Sequence, residues 1–482
     1  MGRDVRHWAG PRGVAVWLPV VVVLALLGGA VAAHRYEVGP RHLPWLVADP
    51  ETEPERVEAP IALTLPEAAP PAAAPAPVGG AVKGAAVRRA LRSALKDPDL
   101  GPSVAVAVGD LGGVGADWTW GNASFTPAST TKVLTSVAAL ESLGPDHRFT
   151  TRVVSGAKAG EIVLVGGGDP YLTQRREAGD PAYWAGADLA TLAAAVAQSL
   201  QADVKVRLRY DASFYAGDGT NPAWRSDYIP DDVVAPIGAL MLDGGRVDGG
   251  PERADDPALA AAQALRTELI AAGLKVGRSV VPVAADPAAT EIAAVQSAPL
   301  ADIVEHVISV SDNEGAELLA HAVGFAVTGA GDFESGAAAT TSVLEGLGVD
   351  TAGLRLGDGS GLARGNVISS ATMLDVLRVA AASDHPELRA AWTGLPTAGF
   401  DGSLAYRFDR ESDALGWVRA KTGTLTGVHA LAGTVTDASG ATLVFVVAAD
   451  RVSPSAALDA QAALDRVAAA LAECACSVVA VP

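Results

Sequence analysis

The sequence has little cysteine, few aromatic residues and a deficit of positive charge. Its 482 residues include two cysteines, Cys474 and Cys476, which are too few and too close together for a disulfide framework or a zinc site. Their spacing fits a local disulfide and two free thiols equally well. Aromatic residues make up 5% of the chain although hydrophobic residues make up 49%, so the core is expected to consist of alanine, valine and leucine.

The charge balance and the histidines argue against two further classes of function. The 55 acidic residues exceed the 36 Lys and Arg residues, and a net charge of -19 repels a polyphosphate backbone, which argues against nucleic-acid binding. The eight histidines form no H-E-x-x-H pair, and the nearest candidates, His306 and His321, lie among apolar residues in helical patterns. We therefore expect no metal and no other cofactor. No serine lies in a G-x-S-x-G motif, which argues against an α/β-hydrolase.

The N-terminal residues predict export across a membrane. Residues 13–33 contain no charged residue, and a helix of about 20 apolar residues crosses a bilayer core. Three arginines precede this stretch, so residues 1–12 are expected in the cytoplasm and the remainder outside. Residues 30–32 also fit a signal-peptide cleavage site. A membrane anchor and a removed signal peptide both fit, and both deliver the rest of the protein to the cell envelope.

The remaining chain divides into a linker, a catalytic domain and an insertion. Residues 34–84 are rich in proline and alanine, which favours extended conformations over a packed core. Residues 85–155 and 296–482 carry helical and strand patterns, and we assign both segments to one globular catalytic domain. Residues 156–295 show short strands and turns instead, and we interpret them as one or more β-rich inserted domains.

A Ser-x-x-Lys motif at Ser129 and Lys132 is the first candidate for catalysis. Residues three apart lie on one face of a helix, so the lysine amine can reach the serine hydroxyl, and burial can lower its pKa until it acts as a base. The motif is weak alone, because Ser93–Lys96 and Ser155–Lys158 match it too. Ser129 is preferred because it begins a strongly apolar helix. The other two pairs lie on an arginine-rich helix and in a glycine-containing turn.

The second motif is Ser311-Asp312-Asn313, between two helical patterns. In an extended segment alternate residues point the same way, so Ser311 and Asn313 can face a site while Asp312 faces the scaffold. The same residue types also cap helix N-termini, and a helical pattern follows directly. Taken alone, the motif fits a helix cap better than a catalytic role.

The third motif is Lys421-Thr422-Gly423-Thr424, in a strand pattern before a C-terminal hairpin. Thr422 and Thr424 share one face of such a strand, and Gly423 lets a substrate backbone come close. Lys421 supplies positive charge for a substrate carboxylate. Taken alone, this motif also fits an edge strand that is interrupted by a glycine and carries an exposed lysine.

Together, the three motifs resemble the signature of the penicillin-recognising serine enzymes. Their order along the chain is far more specific than any one motif. Further segments resemble those of the class C low-molecular-mass penicillin-binding proteins, the D-Ala-D-Ala carboxypeptidase/endopeptidase family. The resemblance covers roughly residues 85–480, and its segments are 166–170, 224–240, 358–364, 401–404 and 420–427.

This resemblance implies an α/β protein of the α+β kind, with a penicillin-binding transpeptidase-like catalytic domain. Such a domain is a helical cluster beside an antiparallel sheet, and extra domains are inserted between its first and second motifs. The long separation of Ser129 and Ser311 leaves room for the insertion. A class A β-lactamase has a far shorter separation between its first and second motifs. It also has a loop with a glutamate that catalyses deacylation, and Glu345 is not a clear counterpart of that glutamate.

The resemblance also implies an acyl-transfer mechanism. Ser129, deprotonated by Lys132, attacks the carbonyl of the penultimate D-Ala, and the backbone N–H groups of Ser129 and Thr424 form the oxyanion hole. Ser311 relays the proton to the departing amine. Water then hydrolyses the acyl-enzyme.

The implied substrate is a peptidoglycan stem peptide that ends in D-Ala-D-Ala. β-Lactams mimic this terminus and are expected to acylate Ser129 as covalent inhibitors. The residues implied in substrate binding are Asn313 for the amide and, around the terminal carboxylate, Lys421, Thr422, Gly423 and Thr424.

The leading hypothesis is therefore a serine-type D-Ala-D-Ala carboxypeptidase in the cell envelope. Endopeptidase action on cross-links is compatible with the same residues. One alternative is a serine β-lactamase, which differs in its rate of deacylation. The other is a non-catalytic, membrane-tethered cell-wall-binding protein, against which the intact lysines of the motifs argue.

Overall fold

The computed structural model describes residues 80–176, 186–200, 204–247, 250–409 and 411–479. The predicted cytoplasmic N-terminus (1–12), the predicted anchor or signal peptide (13–33) and most of the predicted linker (34–84) lie outside these residues. Within the described ranges, no helix is both long and apolar enough to cross a membrane.

The elements of the described chain are numbered in chain order. The strands are β1 (Gly80–Val82), β2 (Ser103–Asp110), β3 (Trp118–Gly121), β4 (Ser124–Phe125), β5 (Thr150–Ser155), β6 (Glu161–Val165), β7 (Lys205–Asp211), β8 (Lys275–Val276), β9 (Val281–Pro282), β10 (Glu291–Gln296), β11 (Ile368–Ser369), β12 (Val418–Leu425), β13 (Val428–Thr436), β14 (Thr442–Asp450) and β15 (Ser477–Val479). The α-helices are α1 (Gly84–Ala90), α2 (Thr131–Leu143), α3 (Leu189–Ser199), α4 (Pro257–Ala271), α5 (Leu300–Val310), α6 (Asn313–Thr328), α7 (Phe333–Gly346), α8 (Ser370–Ala381), α9 (Arg389–Thr393) and α10 (Ala457–Ala472).

An antiparallel sheet forms the centre of the catalytic domain, in the order β12-β13-β14-β2-β3. β13 and β14 form a hairpin around the turn 437–441. Alternate residues of β14 enter different cores: Val444 and Val446 lie in one, and Leu443 and Phe445 lie in the other. Because both faces of the sheet are covered, its inner strands are continuous apolar runs rather than alternating ones.

Helices cover both faces of this sheet. α2, α5, α6 and α8 share a core with one face, while α1 and α10 share a core with the other. The first face therefore carries a cluster of helices, and the first two motifs lie within it. A helical cluster beside an antiparallel sheet is the predicted α+β architecture, which is thereby confirmed.

A second sheet lies in the chain between the first two motifs, in the order β10-β5-β6-β7-β8, with β9 also paired to β7. α3 connects the parallel strands β6 and β7, and α3 and α4 share a core with the sheet. β5, which the sequence pattern assigns to the catalytic domain, pairs with β6 and β10 instead. The second sheet therefore extends beyond 156–295 at both ends, and the two helices α3 and α4 accompany the strands of the predicted β-rich insertion.

The first and last described strands, β1 and β15, pair with each other. Residues 80–84, which their composition places in the linker, form β1 and begin α1, because β15 supplies a partner for their backbone. Cys474 and Cys476, just before β15, are joined by a disulfide, with their Cα atoms 5.0 Å apart. This is one of the two states that their spacing allowed.

Candidate active site

Ser129 lies in a tight turn that leads into α2. A single 3₁₀ turn covers Ala128–Thr130, and Ala128 adopts a left-handed φ of 48°, which costs energy for a residue other than glycine. Side chains hold this turn: the Thr130 hydroxyl donates to the Pro127 carbonyl and the Thr131 hydroxyl to the Ala128 carbonyl, both at 2.8 Å. The apolar residues of α2 anchor the turn in the core. The backbone therefore presents Ser129 in one conformation.

Two glycines let other segments pass against this turn. A Cβ on Gly361, which has a φ of 88°, would overlap the Ala128 carbonyl oxygen, and a Cβ on Gly423 would lie 2.6 Å from the Pro127 carbonyl oxygen. A larger residue at either position displaces the turn. The missing side chain of Gly423 admits the Ser129 turn and so brings β12 against the serine. The approach of a substrate backbone to Gly423 stays a prediction.

Lys132 is fully buried, and its amine is held by three acceptors. Its Nζ atom donates to Ser129 Oγ at 3.0 Å, to Asn313 Oδ1 at 2.9 Å and to the Ser360 carbonyl at 2.7 Å. Burial lowers the pKa of Lys132 to about 8, against the opposing attraction of nearby carboxylates. Roughly a tenth of the Lys132 amine is therefore neutral at pH 7, within hydrogen-bond reach of the serine hydroxyl.

The other two Ser-x-x-Lys matches lack this arrangement. Ser93 and Lys96 are both exposed. Lys158 is exposed as well, and the Ser155 hydroxyl accepts a hydrogen bond from the Thr290 backbone N–H. Exposure leaves both lysine amines in contact with solvent. The geometry thus distinguishes the pair at Ser129 from the two others.

The second motif is both a helix cap and part of the Lys132 environment. Ser311 ends α5 in a left-handed conformation with a φ of 65°, and Asp312 caps α6 by accepting from the Gly315 N–H at 3.2 Å. The capping interpretation therefore holds for Asp312. It does not compete with a role in the site, because the cap places Asn313 at the start of α6, where its Oδ1 accepts from Lys132.

The inserted region contributes to this motif. The Asn313 amide nitrogen donates to the Val233 carbonyl at 2.9 Å, and the Tyr171 hydroxyl donates to Asp312 Oδ2 at 2.8 Å. Both partners lie between the first two motifs in the chain. They orient the amide of Asn313 and the cap of α6, so the insertion supports the site directly.

The third motif occupies β12, the edge strand of the central sheet. Lys421 is fully buried, and its Nζ donates to the Thr422 carbonyl at 2.9 Å. Burial and the nearby Lys132 lower the pKa of Lys421 well below its ordinary value. On the opposite face, the Thr422 hydroxyl donates to Ser403 Oγ at 2.9 Å and Thr424 is exposed. The alternative of an exposed lysine on this strand is wrong.

The structure adds a buried acidic layer that sequence reasoning did not assign to the site. Glu317 and Asp358 are almost completely buried beside Lys132. Asp358 accepts hydrogen bonds from the Trp224 indole and from the backbone N–H groups of Gly361 and Ala363. These bonds shape the loop whose Ser360 carbonyl contacts Lys132. A signal for Glu317 existed in the sequence, since it lies four residues after Asn313 on the same helix face.

The two histidines considered as metal candidates are packed side chains. His321 is buried, with its Nδ1 2.7 Å from the Glu317 carbonyl oxygen and its ring edge-on to Phe333. His306 lies edge-on to Tyr171. Both histidines have pKa values lowered by burial.

Comparison with known families identifies the fold and the class. Residues 87–250 and 251–471 match the D-Ala-D-Ala carboxypeptidase 3 (S13) family. The chain belongs to this family. The match confirms the predicted family and the predicted enzyme class, a serine-type D-Ala-D-Ala carboxypeptidase, over the β-lactamase and non-catalytic alternatives.

Individual relatives agree with this assignment. The chain is 37% identical to carboxypeptidase DacB of Mycolicibacterium smegmatis over 73% of this chain and 76% of that protein. It is 35% identical to a carboxypeptidase of Mycobacterium tuberculosis over 79% of this chain and 82% of that one. Among solved structures, penicillin binding protein 4 of Haemophilus influenzae has a similar fold, with a TM-score of 0.63 and 22% identity. The match covers 77% of this chain and 98% of that one.

Proposed function

We propose that this member of the family removes the terminal D-Ala from peptidoglycan stem peptides, through an acyl-enzyme on Ser129. The observation that carries the proposal is the hydrogen bond of 3.0 Å between the buried Lys132 amine and Ser129 Oγ. A serine hydroxyl is a weak nucleophile until an adjacent base removes its proton. Lys132 is that base.

Acylation begins when neutral Lys132 accepts the Ser129 proton and Oγ attacks the carbonyl carbon of the penultimate D-Ala. Charge develops on the carbonyl oxygen, and the backbone N–H groups of Ser129 and Thr424 stabilise it. The C–N bond then breaks, and the Ser311 hydroxyl passes its proton to the amine of the departing D-Ala while it takes up the proton that Lys132 had accepted, so that Lys132 is neutral again. Water attacks the resulting ester, which releases the shortened peptide and restores Ser129.

At the free edge of β12, Lys421 from one face of the strand and Thr422 and Thr424 from the other bind the terminal carboxylate of the substrate. Without an anion, burial and Lys132 disfavour the charged form of Lys421. A substrate carboxylate nearby favours the ammonium form again and raises the pKa of Lys421, so substrate binding and protonation of this lysine are coupled. Asn313 holds the substrate amide, for which its Oδ1 has a second lone pair beyond the one that Lys132 uses.

We infer that the site works outside the cytoplasm. The family acts on D-Ala-D-Ala peptides of peptidoglycan, which lies outside the cytoplasm, and residues 13–33 are expected to supply either an anchor or a signal peptide for export. N-terminal sequencing of the mature protein separates these two forms, because a chain that starts near residue 33 has lost the anchor. β-Lactams acylate the same serine and remain attached, since water reaches their ester poorly.

The proposal is tested on the purified wild-type protein. A fluorescent penicillin is expected to label it stably, with the modification on the peptide that contains Ser129, and a muramyl pentapeptide is expected to release D-Ala. Failure of both reactions contradicts the proposal. Rapid loss of the label favours β-lactamase action, and cleavage of cross-linked muropeptides adds endopeptidase action to the function.

The rate of penicillin acylation is expected to rise with pH to a plateau. Only neutral Lys132 can accept the serine proton, and its neutral fraction increases as the pH rises through its pKa of about 8. Labelling rates between pH 5.5 and about 9.5, at saturating penicillin, report this titration while the bound carboxylate keeps Lys421 protonated. A rate that is constant over the range contradicts the role of Lys132 as the base.

A further inference from the structure

The Ser360 carbonyl, an acceptor of the Lys132 amine, depends on a buried glutamate. Glu317 Oε1 accepts a hydrogen bond from the Ser360 N–H at 2.8 Å, and Oε2 accepts from the Gly359 N–H at 3.0 Å. The Ser360 carbonyl in turn accepts from Lys132 Nζ at 2.7 Å. Each oxygen of the Glu317 side chain thus holds one peptide group of the loop that contacts the base.

Glu317 also shares its helix face with another contact of Lys132. Asn313, one turn earlier on α6, accepts from Lys132 at 2.9 Å. One face of α6 therefore positions two of the acceptors around the amine, one directly and one through the loop. Packing alone does not account for a carboxylate here, because a buried carboxylate costs several kcal/mol unless hydrogen bonds and nearby charge offset its lost hydration.

We propose that Glu317 is a positioning residue for the reaction: it holds the Ser360 carbonyl on Lys132 Nζ and so directs the Lys132 lone pair toward Ser129. The proposal rests on the function proposed above. Neutral Lys132 has two N–H donors and one lone pair, so acceptors at Ser360 and Asn313 take both N–H groups and leave the lone pair for the serine hydroxyl. Loss of the Ser360 acceptor frees the amine to turn away from Ser129.

Glu317 also acts on Lys132 electrostatically, because the charge of its carboxylate attracts the ammonium form of the lysine. Burial and Asp358 raise the pKa of Glu317 to about 8, close to that of Lys132. The two groups therefore titrate together as a coupled pair in the same pH range, and the ionised glutamate favours the charged lysine. The other charged groups that face Lys132 are Asp358 on the loop, Asp312 and Glu314 at the start of α6, and Lys421 on β12.

The test compares penicillin acylation in Glu317→Gln and the wild type as a function of pH. Glutamine keeps the size of the side chain, but its NH₂ group faces a backbone N–H and cannot hold it. We expect the plateau rate to fall about 10- to 100-fold, because small errors in the position of a base have effects of this size. We also expect the midpoint of the pH profile to fall by about 1 unit, since the charged lysine loses an attractive partner.

Two further variants keep the test decisive. Glu317→Asp retains the charge but shortens the reach, so its rate should fall while its midpoint stays that of the wild type. Asp437→Asn is the matched control, because Asp437 is also buried and also accepts from two backbone N–H groups, those of Ser439 and Ala441, in the distant β13–β14 turn. The control should lose thermal stability without a change in the midpoint.

The outcomes separate the two proposals. A wild-type midpoint in Glu317→Gln overturns the role of Glu317, whatever its rate or melting temperature. If that variant does not fold, an unchanged rate in Glu317→Asp overturns it instead. Failure of the proposed function has a different signature, because the wild-type protein itself then takes no label and releases no D-Ala.

Discussion

Replacement of Ser129 by alanine is expected to abolish both covalent labelling by penicillin and release of D-Ala from a muramyl pentapeptide. The label forms a bond to Ser129 Oγ, and alanine has no atom that can take its place. The loss should reach at least about 10³-fold, because no other group in the mechanism can act as the nucleophile. Gel fluorescence and a D-Ala release assay measure the two losses.

The chain offers a close control for this substitution. Ser93 belongs to another Ser-x-x-Lys match, but it is exposed, and so is its lysine. Ser93→Ala should label and hydrolyse like the wild type. The melting temperature of Ser129→Ala should stay near that of the wild type, since alanine fits the space of the serine. Labelling that survives in Ser129→Ala assigns the nucleophile to another residue.

The motifs predicted which side chains lie together in the candidate site better than they predicted what surrounds them. Ser129, Asn313 and Lys132 were recognisable from motifs, and the structure joins them through the Lys132 amine. The hydrogen bond from Lys132 to the Ser360 carbonyl could not be predicted from the sequence. Every residue has a backbone carbonyl, and the type of side chain does not indicate where that oxygen points. Burial of Lys421 was likewise hidden, since it depends on the helices packed over β12.

The boundaries of the insertion show a second limit of sequence patterns. The alternation in β5 correctly indicated a strand, but alternation carries no information about which strand lies next to it. β5 pairs with β6 and β10 and so belongs to the second sheet. The pairing of β1 with β15 was missed for the same reason, because its two partners lie at opposite ends of the described chain. Long-range pairing is decided by the whole fold.

In Ser311-Asp312-Asn313 a helix cap and a site contact lie side by side. Asp312 caps α6, and the next residue, Asn313, contacts Lys132. The cap fixes the first turn of α6, and the first turn carries the functional amide. In this site the structural role of one residue is the means by which its neighbour is positioned.

Replacement of Lys132 by methionine is expected to lower the rate of penicillin acylation by about 10²- to 10⁴-fold, the usual contribution of a general base. Methionine has a similar length but no amine, so the Ser129 proton has no acceptor at 3.0 Å. The residual rate should also lose the pH dependence with a midpoint near 8, because the titrating group is gone. Stopped-flow or quenched labelling over the same pH range measures both changes.

Lys96→Met is the matched control for this second prediction, since Lys96 is an exposed lysine in another Ser-x-x-Lys match. Its rate and pH profile should equal those of the wild type. Folding of Lys132→Met is checked by its melting temperature, which need not fall, because removal of a buried cation also removes its desolvation cost. A Lys132→Met protein that folds and keeps the wild-type midpoint shows that another group accepts the serine proton, and the buried pair of Lys132 and Glu317 then has no part in setting the rate.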